Sequence, residues 1–415
     1  MPLDAFGRLA ISNPYTLSQY YPSPLTGNSN LDEDIWIQSL SVSDSAASYN
    51  SQNYIDLNVS GNSSYAMMQS KHPLDYLPGK SRLILMTGVL LSRAKTVGES
   101  FTSRIGMSLV DASTTPAVTQ GTYYQTDGDD LQWVDVTQTS NTTVNQESWN
   151  IDIFDGLGPS GKTLTITSAQ ENILLYMRQE WLGVGGITCG FIIDNTFCPA
   201  HFFSHSGLSI QYTNTPRLRS TYYIVGTTIL SSLSMKMMCS TNISEGGYLS
   251  LGKRNSILTN YQGLTITTAG TYYVALALKV NSLYEQGCIK PINITLSYDA
   301  GPNNNCSYQL QLHSTYGSIG STTGTLTYGT LSDSIGQSLV GDGTQTLTSD
   351  GYVLSSGSLN SQSSINLSYN DFELLLPRAI CTRYNSTLFD TLFLFATSST
   401  NNAQVFASID FIELI

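Results

Sequence analysis

Charged residues are scarce in this chain of 415 residues. Asp, Glu, Lys and Arg make up 12% of the sequence, with 18 basic and 30 acidic residues and a formal net charge of −12. Long amphipathic helices carry charged side chains along their solvent-facing side, so a chain with so few charges cannot build many of them. Nucleic-acid binding needs clustered Lys and Arg, and the sequence contains no run of five basic residues. The composition therefore argues against a helical fold and against a nucleic-acid partner.

Long apolar runs are missing as well. A membrane-spanning helix needs roughly eighteen or more consecutive apolar residues, and the sequence has no such stretch, so no transmembrane segment is expected. The first residues, MPLDAFGRLAISNPYT, lack the basic head and apolar run of a secretory signal. We therefore expect the chain to mature in a cytoplasm.

Cysteine is rare and widely spaced. The six cysteines form no C-x-x-C pair, a spacing that favours buried free thiols over a disulfide scaffold or a zinc site. If one bridge forms, the sequence favours Cys288 with Cys306. The cysteines are Cys189, Cys198, Cys239, Cys288, Cys306 and Cys381.

Residues typical of strands and turns are abundant, with 25 tyrosines and 34 glycines. The length exceeds one comfortable hydrophobic core. We predict an all-β fold of two antiparallel β-sandwich, jelly-roll-like domains, residues 36–230 and 231–415, preceded by an extended N-terminal arm, residues 1–35. The arm holds four prolines and either docks on a domain or another subunit, or frays.

Alternating apolar and polar residues predict the individual strands. Residues 127–130 (DGDD) predict a hairpin turn and lack the spacing of a calcium loop. Residues 169–177 predict a short turn followed by a strand, and the Gly/Ser/Thr-rich residues 314–365 predict a β-meander or loops. Strands are expected at 36–42, 81–89, 103–109, 131–137, 271–280, 292–298, 308–312, 388–395 and 404–415.

A glycine-rich stretch matches the phosphate-binding pattern G-x-x-x-x-G-K-[ST] through Gly156, Gly161, Lys162 and Thr163, and Gly158 adds a G-x-G-x-x-G match. A phosphate loop needs a buried strand before it and a helix after it. Residues 149–154 and 163–167 instead alternate like half-exposed strands. We therefore interpret the stretch as a turn between two strands, and a nucleotide-binding enzyme remains a remote alternative.

Two further groups of residues are candidate sites. His201 and His205 lie four residues apart, too far apart on a strand to hold one ion without help from Glu180 or Asp194, so structural roles are favoured. A carboxylate pair for glycan hydrolysis would come from Asp152, Asp155 and Glu180 beside Trp149 and Trp181, but core tryptophans are commoner than sugar platforms. No catalytic, cofactor-binding or metal residue is predicted, and we expect no enzyme activity.

Several motifs together resemble virion-associated structural proteins of tailed phages and large DNA viruses. The resemblance is carried by W-N-x-D-x-x-D-G-x-G-P-S-G at 149–161, EWLGVG at 180–185, GFIID at 190–194, HFFSH at 201–205, DAFGRL at 4–9, PGKS at 78–81, SRIG at 103–106 and CSTNISEGGY at 239–248. The chain departs from that pattern at Lys162, at residues 186–189 and at Asn195.

The resemblance implies a function without a known chemistry. We expect a viral structural protein, an accessory or minor capsid, fibre or spike component that is assembled in the host cytoplasm and resides in the virion. Its partners would be further copies of itself and other capsid proteins, with contact to a host-surface glycan or receptor left open. The alternative is a carbohydrate-binding or glycan-hydrolysing β-sandwich module.

Overall fold

The computed structural model describes fourteen segments of the chain, which divides into two compact units, Met1–Leu249 and Ser250–Ile415. Within the described residues every paired strand is antiparallel, and the only helices are short 3-10 helices at Gln146–Ser148 and Ile166–Gln170. The predicted all-β antiparallel fold is confirmed. The described residues are 15–20, 36–41, 43–50, 54–71, 73, 80–110, 117–180, 183–245, 252–284, 287–299, 304–314, 320–367, 380–381 and 390–414.

The described residues of the first unit form fifteen strands. They are β1 (Tyr15–Tyr20), β2 (Trp36–Leu40), β3 (Ser45–Asn50), β4 (Tyr54–Val59), β5 (Ser64–Ser70), β6 (Arg82–Val89), β7 (Ser100–Val110), β8 (Val118–Thr126), β9 (Leu131–Val136), β10 (Asn141–Asn145), β11 (Ile173–Gln179), β12 (Ile187–Ile193), β13 (Thr196–Phe203), β14 (Arg219–Thr228) and β15 (Leu233–Ser244).

These strands form a sandwich of two sheets. One sheet has the order β13-β12-β11-β6-β15-β4-β3, with β1 also paired to β15, and the other has the order β10-β9-β8-β7-β14-β5-β2. Alternate residues of each strand point inward, as the pleat requires. A single core lies between the sheets, with Trp36, Tyr222 and Ile105 from one sheet meeting Met86 and Leu57 from the other.

The predicted boundary after residue 230 differs from the structure, because β15 belongs to the first unit. Leu233, Met235 and Met237 alternate with less buried residues and enter the first core. The strand pairs with β6 along one edge, while β4 and then β1 pair along the other. The division of the chain therefore follows β15.

The part of the N-terminal arm that the structure describes is β1. Its backbone pairs antiparallel with β15, from Tyr15 opposite Ser244 to Tyr20 opposite Ser240. This segment is therefore docked as a strand on the first unit itself. The rest of the predicted arm, residues 1–14 and 21–35, lies outside the described residues.

An aromatic cluster around Phe191 joins the two sheets of the first unit. Phe191 lies on β12, and its ring centroid is 5.1 Å from Tyr124 and 5.7 Å from Trp133, both on the opposite sheet. Trp149 and Phe154, from the segment after β10, complete the cluster at 5.9 and 5.4 Å. All five side chains are buried. The cluster therefore fixes the sheets to each other and anchors the glycine-rich segment to both.

In the part of the second unit that the structure describes there are fourteen strands. They are β16 (Lys253–Leu258), β17 (Leu264–Ile266), β18 (Tyr273–Val280), β19 (Cys288–Asp299), β20 (Asn305–Ser314), β21 (Ser321–Thr322), β22 (Gly329–Thr330), β23 (Gly336–Val340), β24 (Leu347–Ser349), β25 (Tyr352–Asn360), β26 (Ser364–Leu367), β27 (Ile380–Cys381), β28 (Asp390–Ser398) and β29 (Ala403–Leu414).

The second unit is also a sandwich. Its sheets have the orders β16-β29-β19-β26 and β22-β23-β18-β28-β20-β25, with β17 paired to β29 and β27 paired to β19. Every residue of β28 is buried, because Phe393 and Phe395 face a second apolar layer on the outer side of their sheet. Leu326, Tyr328 and Leu347 of the Gly/Ser/Thr-rich region supply that layer. Packing against its own unit therefore orders this part of the low-complexity sequence.

The predicted bridge between Cys288 and Cys306 is wrong. Cys306 is a buried free thiol, whereas Cys288 is disulfide-bonded. In the backbone register Cys288 at the start of β19 lies opposite Cys381 of β27. Cys189 and Cys198 are buried free thiols, as the sequence predicts, whereas Cys239 is free but exposed.

Replacing Phe191 with alanine should destabilise the first unit by about 3–5 kcal/mol, because the change leaves a cavity at the contact between both sheets and the glycine-rich segment. Leu157→Ala is the matched control, since Leu157 lies on that segment but is 89% exposed. Denaturant unfolding of the two variants measures the difference. Equal losses of stability would contradict a central role for Phe191.

Candidate functional site

The glycine-rich loop, residues 152–163, is folded around the carboxylate of Asp152. The Phe154 backbone N–H donates to Asp152 Oδ1 and the Ser160 N–H to Asp152 Oδ2, both at 2.8 Å. Gly158 lies so close that a Cβ at this position would be 2.2 Å from Asp152 Oδ1. Asp152 is itself buried. The loop therefore encloses an anion that belongs to its own chain.

Three further backbone N–H groups of the loop are also occupied. Gly156 N–H donates to the Lys162 carbonyl and Gly161 N–H to the Gly158 carbonyl, both at 3.0 Å. Leu157 N–H donates to Asp155 Oδ1 at 2.8 Å. Phosphate binding needs these donors to be free and convergent, so the loop is closed to that use as it stands.

Lys162 does not point into the loop. Its Nζ lies 2.6 Å from Asp194 Oδ2, in the turn between β12 and β13, and both side chains are solvent-exposed enough to make this a surface pair. The hydrogen bond and charge of Asp194 raise the pKa of Lys162. A surface pair of this kind contributes little to stability. Its effect here is to tie the loop to the neighbouring turn.

The two strands predicted to flank the loop are wrong. Residues 149–154 are irregular, and residues 163–167 contain only an isolated bridge between Thr163 and Asp155 before the 3-10 helix Ile166–Gln170. The apolar residues of the first segment, Trp149 and Phe154, insert into the core from a loop instead of alternating on a strand. The turn and strand predicted at 169–177 are present as that 3-10 helix and β11.

The carboxylates considered for glycan hydrolysis each serve a separate structural contact. Asp152 holds the glycine-rich loop, Asp155 accepts from the Leu157 N–H, and Glu180 pairs with Arg178 at 2.7 Å. Trp149 is buried and its Nε1 donates to the Val144 carbonyl at 3.1 Å. Trp181 lies outside the described residues.

The acidic residues 127–130 form the turn of the β8–β9 hairpin, as predicted. Asp127 Oδ1 accepts from the N–H groups of Asp129 and Asp130, at 3.0 and 2.9 Å, and Lys95 pairs with Asp129. Across the described segments, no group of three or more His, Cys, Asp and Glu residues is placed to hold a metal ion. No helix in these segments is long and apolar enough to span a membrane.

His201 is held in its neutral form. It lies on β13, and its Nδ1 accepts a hydrogen bond from the Asn150 backbone N–H at 3.2 Å, which requires an unprotonated nitrogen. Its ring packs edge-on against Phe203. Burial lowers the pKa of His201, and the nearby Asp135 charge only partly opposes this.

The contacts of His205 favour its protonated form. The predicted strand ends at Phe203, so His205 lies in the following loop, stacked on Tyr212 at 3.8 Å. Nδ1 lies 2.7 Å from the Gly185 carbonyl and Nε2 lies 2.9 Å from Asp135 Oδ2, and both acceptors require a donor nitrogen. Burial opposes the charge, but the bonds to Asp135 and Gly185 outweigh it and raise the pKa of His205.

Asn150 seals the exposed edge of β13, the outermost strand of its sheet. Its side-chain Nδ2 donates to the Phe202 carbonyl at 2.9 Å, and its Oδ1 accepts from the Phe202 N–H at 2.8 Å. The side-chain amide thus substitutes for a peptide of a neighbouring strand. The N–H groups of Ile151 and Asp152 both point to the Ala200 carbonyl at 3.1 Å. Further strand addition at this edge is therefore blocked.

Beside this sealed edge lies an exposed apolar surface, which we name the uncharged face. It consists of Ile151 (36% exposed), Val184 (52%), Phe202 (41%), Leu208 (38%) and Ile210 (47%). Residues 195–216 and 183–193 contain no Asp, Glu, Lys or Arg. Exposed large apolar residues grouped in one region mark interaction sites more often than scattered ones do. This face is the strongest candidate for a functional surface in the first unit.

Three contacts bring the members of the uncharged face together. Asn150 binds the Phe202 backbone, which places Ile151 beside Phe202. Tyr212 N–H donates to the Gly183 carbonyl at 3.1 Å, so the turn that carries Val184 is fixed to the end of the loop that carries Leu208 and Ile210. His205 binds the same turn through Gly185.

Sequence reasoning missed the uncharged face. Its members come from three separate segments, and only the folded backbone shows that they are neighbours. The available signal was the lack of charge across residues 195–216, a stretch that also contains apolar residues outside any alternating pattern.

Comparison of the sequence with known proteins identifies no relative. No protein-family model matches the chain, and no curated protein matches it.

Comparison of the structure finds proteins with a similar arrangement of strands over part of the chain. One is a carbohydrate esterase from the Shiga toxin-encoding bacteriophage phi24B, with 12% identity over 56% of this chain and 99% of the other and a TM-score of 0.34. A second is the CBM2 module of an evolved Dit protein from Lactobacillus casei BL23 phage J-1, with 8% identity over 57% of this chain and 98% of the other and a TM-score of 0.36. A third is arcelin-5, a lectin-like defence protein of Phaseolus vulgaris, with 10% identity over 56% of this chain and 99% of the other and a TM-score of 0.33. At these levels the activities of those proteins do not transfer.

Asp152→Ala should destabilise the first unit by about 2–3 kcal/mol, because it leaves the N–H groups of Phe154 and Ser160 without their charged acceptor. Asp155→Ala, at an exposed position with one such bond, is the control and should cost about 1 kcal/mol or less. Burial opposes ionisation of Asp152, but the bonds from Ser160 and Phe154 prevail and lower its pKa. Its contribution is therefore present above about pH 4 and lost in acid. Urea unfolding above and below about pH 4 measures the stability of each variant. Equal losses of stability in Asp152→Ala and Asp155→Ala would refute the role given to Asp152.

His201 and His205 should give stability profiles of opposite slope. The raised pKa of His205 means that its contribution is complete below about pH 6.5 and is lost as pH rises through the folded-state pKa. The lowered pKa of His201 means that its contribution is present above about pH 6.5 and falls in acid. Relative to wild type, His205→Gln should therefore be most destabilising at low pH and His201→Gln at high pH.

Urea unfolding of the two histidine variants over a pH series measures these slopes. The Asp135 carboxylate acts on both rings, and its charge also reaches Cys189 and Tyr123, whose pKa values are raised chiefly by burial and so lie above the range of this series. Parallel profiles for the two variants would show that the assigned protonation states are wrong.

Proposed function

We propose that this protein is a structural component of a virus particle, an accessory or minor capsid, fibre or spike protein that acts by association and not by catalysis. The observation that carries the proposal is the contrast within the first unit. The residues that resemble catalytic or nucleotide-binding groups are held in structural contacts, whereas the uncharged face is exposed to solvent.

The sequence resemblance to virion-associated proteins supports the viral part of the proposal. Several residues that carry it have structural roles in the first unit. Gly106 of β7 leaves no room for a side chain, because a Cβ there would be 2.4 Å from the Thr122 carbonyl oxygen. Arg104 stacks over Tyr123 and Tyr223. A resemblance built on such residues transfers a fold and an assembly class more readily than a chemistry.

Glycan binding is a second candidate, favoured by one feature of the second unit. Tyr261, in the turn between β16 and β17, is 89% exposed and lies between Asn260 and Gln262. The Gln262 side-chain amide donates to the Tyr261 hydroxyl at 3.2 Å. An exposed aromatic ring beside amide groups offers an apolar surface and hydrogen-bonding groups together, as sugar sites do.

The viral proposal predicts that the chain is present in purified virus particles. Mass spectrometry of the particles should detect its peptides in fixed proportion to the other structural proteins. Immunogold labelling of intact particles then separates an outer component, which is labelled, from an internal one, which is not. Absence of the peptides from the particles would overturn the proposal.

A glycan array distinguishes the second candidate. Tyr261→Ala should abolish sugar binding if the turn between β16 and β17 holds the sugar, and Leu283→Ala, at an 83% exposed apolar position, is the control. Flat arrays for the wild-type protein would leave the glycan candidate without support.

A further inference from the structure

We propose that the uncharged face of the first unit is the contact surface for a second copy of this chain. This inference rests on the proposed structural function and names the partner that the surface takes. The face consists of Ile151, Val184, Phe202, Leu208 and Ile210, as defined above.

The charge distribution favours a second copy as the partner. Each copy carries a formal net charge of −12, so two copies repel each other over most of their surfaces. Residues 183–193 and 195–216 contribute no Asp, Glu, Lys or Arg to the face. The neighbouring Asp194 is paired with Lys162, and Asp152 is buried in its loop. Glu180, which flanks the Val184 turn, is paired with Arg178. The five members of the face themselves therefore place no like charges against each other when two copies meet.

The chemistry of the side chains favours a protein surface over a sugar or a nucleic acid. Four of the five members of the face (Ile151, Val184, Leu208 and Ile210) are aliphatic, and Phe202 supplies the one aromatic ring of the face. They gain free energy by leaving water against other apolar side chains. A nucleic acid would require basic residues that the face lacks. Exposed hydroxyl and amide groups at Ser204, Ser206 and Gln211 supply the polar rim that protein interfaces have.

The face is fixed in shape before any partner binds. The Val184 turn is held from both sides, by the bond from Tyr212 to Gly183 and by the bond from His205 to Gly185. Phe202 is held by both ends of the Asn150 side-chain amide. Ordering loops at an interface costs free energy, and these contacts reduce that cost for Val184 and Phe202.

The sealed edge of β13 determines how the copies meet. Asn150 occupies the backbone groups of Phe202, and Ile151 and Asp152 occupy the Ala200 carbonyl. A second copy cannot extend the sheet at these groups. The contact is therefore made by side chains, face to face.

The experiment measures self-association of the purified full-length chain by sedimentation velocity and light scattering over a concentration series. Phe202→Asp and Leu208→Asp each place a charge on the face in both copies, and should weaken association at least about 100-fold. Val97→Asp is the matched control, because Val97 is 97% exposed and lies in the loop before β7. Its association should equal that of the wild-type protein. Circular dichroism and thermal unfolding confirm that each variant is folded.

A charge-exchange test separates a direct contact from an indirect effect. If the face meets itself, a mixture of Phe202→Asp and Phe202→Lys copies should recover association that neither variant shows alone. Loss of association through misfolding would not be rescued in this way.

Three results would overturn the inference. They are a wild-type protein that stays monomeric at every concentration, face variants that associate like the Val97→Asp control, and face variants that lose sugar binding with an unchanged oligomeric state. If the chain is found in particles and any of these holds, only this inference fails. Absence from particles defeats the proposed function independently of the self-association result.

Discussion

The contact between Phe191 and its four aromatic neighbours is the constraint on which the first unit depends. Tyr124 and Trp133 reach Phe191 from the opposite sheet, and Trp149 and Phe154 reach it from the segment after β10. Aromatic side chains bury the largest apolar areas and prefer tilted or edge-to-face contacts, as most of these pairs show. Phe154 adopts a backbone φ of 56°, which is unfavourable for a bulky residue. Burial in this cluster and the bond from its N–H to Asp152 offset that cost.

The same anchoring explains why the loop resembles a phosphate-binding motif. In both cases glycines allow backbone N–H groups to approach an anion closely. In this protein the anion is the Asp152 carboxylate, held by Phe154 and Ser160, and Gly158 is needed because a Cβ there would collide with Asp152. The motif therefore reports a backbone conformation wrapped around a negative charge. It does not report which negative charge that is.

Strand positions could be predicted from alternation in β19, because successive side chains of a strand point to opposite faces of the sheet. In β6 and β9 most residues of both faces are buried, and the strands could be predicted from their apolar content. Alternation misled at residues 149–154, where Trp149 and Phe154 enter the core from an irregular segment. The unit boundary lies after β15, and not after residue 230, because β15 pairs with β6. The disulfide state of Cys288 likewise depends on a distant pairing, that of β19 with β27. Local sequence contains no record of those pairings, nor of the neighbours that form the uncharged face.

The buried pair of His205 and Asp135 fixes the positions of neighbouring loops, although burying such a pair costs free energy. Removing two charges from water opposes folding, so such a pair is weak evidence for stability. Its bonds are directional, however, and they reach from β9 of one sheet to the loop after β13 of the other. The other ring nitrogen of His205 bonds to the Gly185 carbonyl, and Tyr212 stacks on the same ring. An apolar pair could fill the same volume but would hold neither the Val184 turn nor the loop beside it in one position. The hydrogen-bonded pair therefore specifies the shape of the uncharged face more than it stabilises the sandwich beneath it.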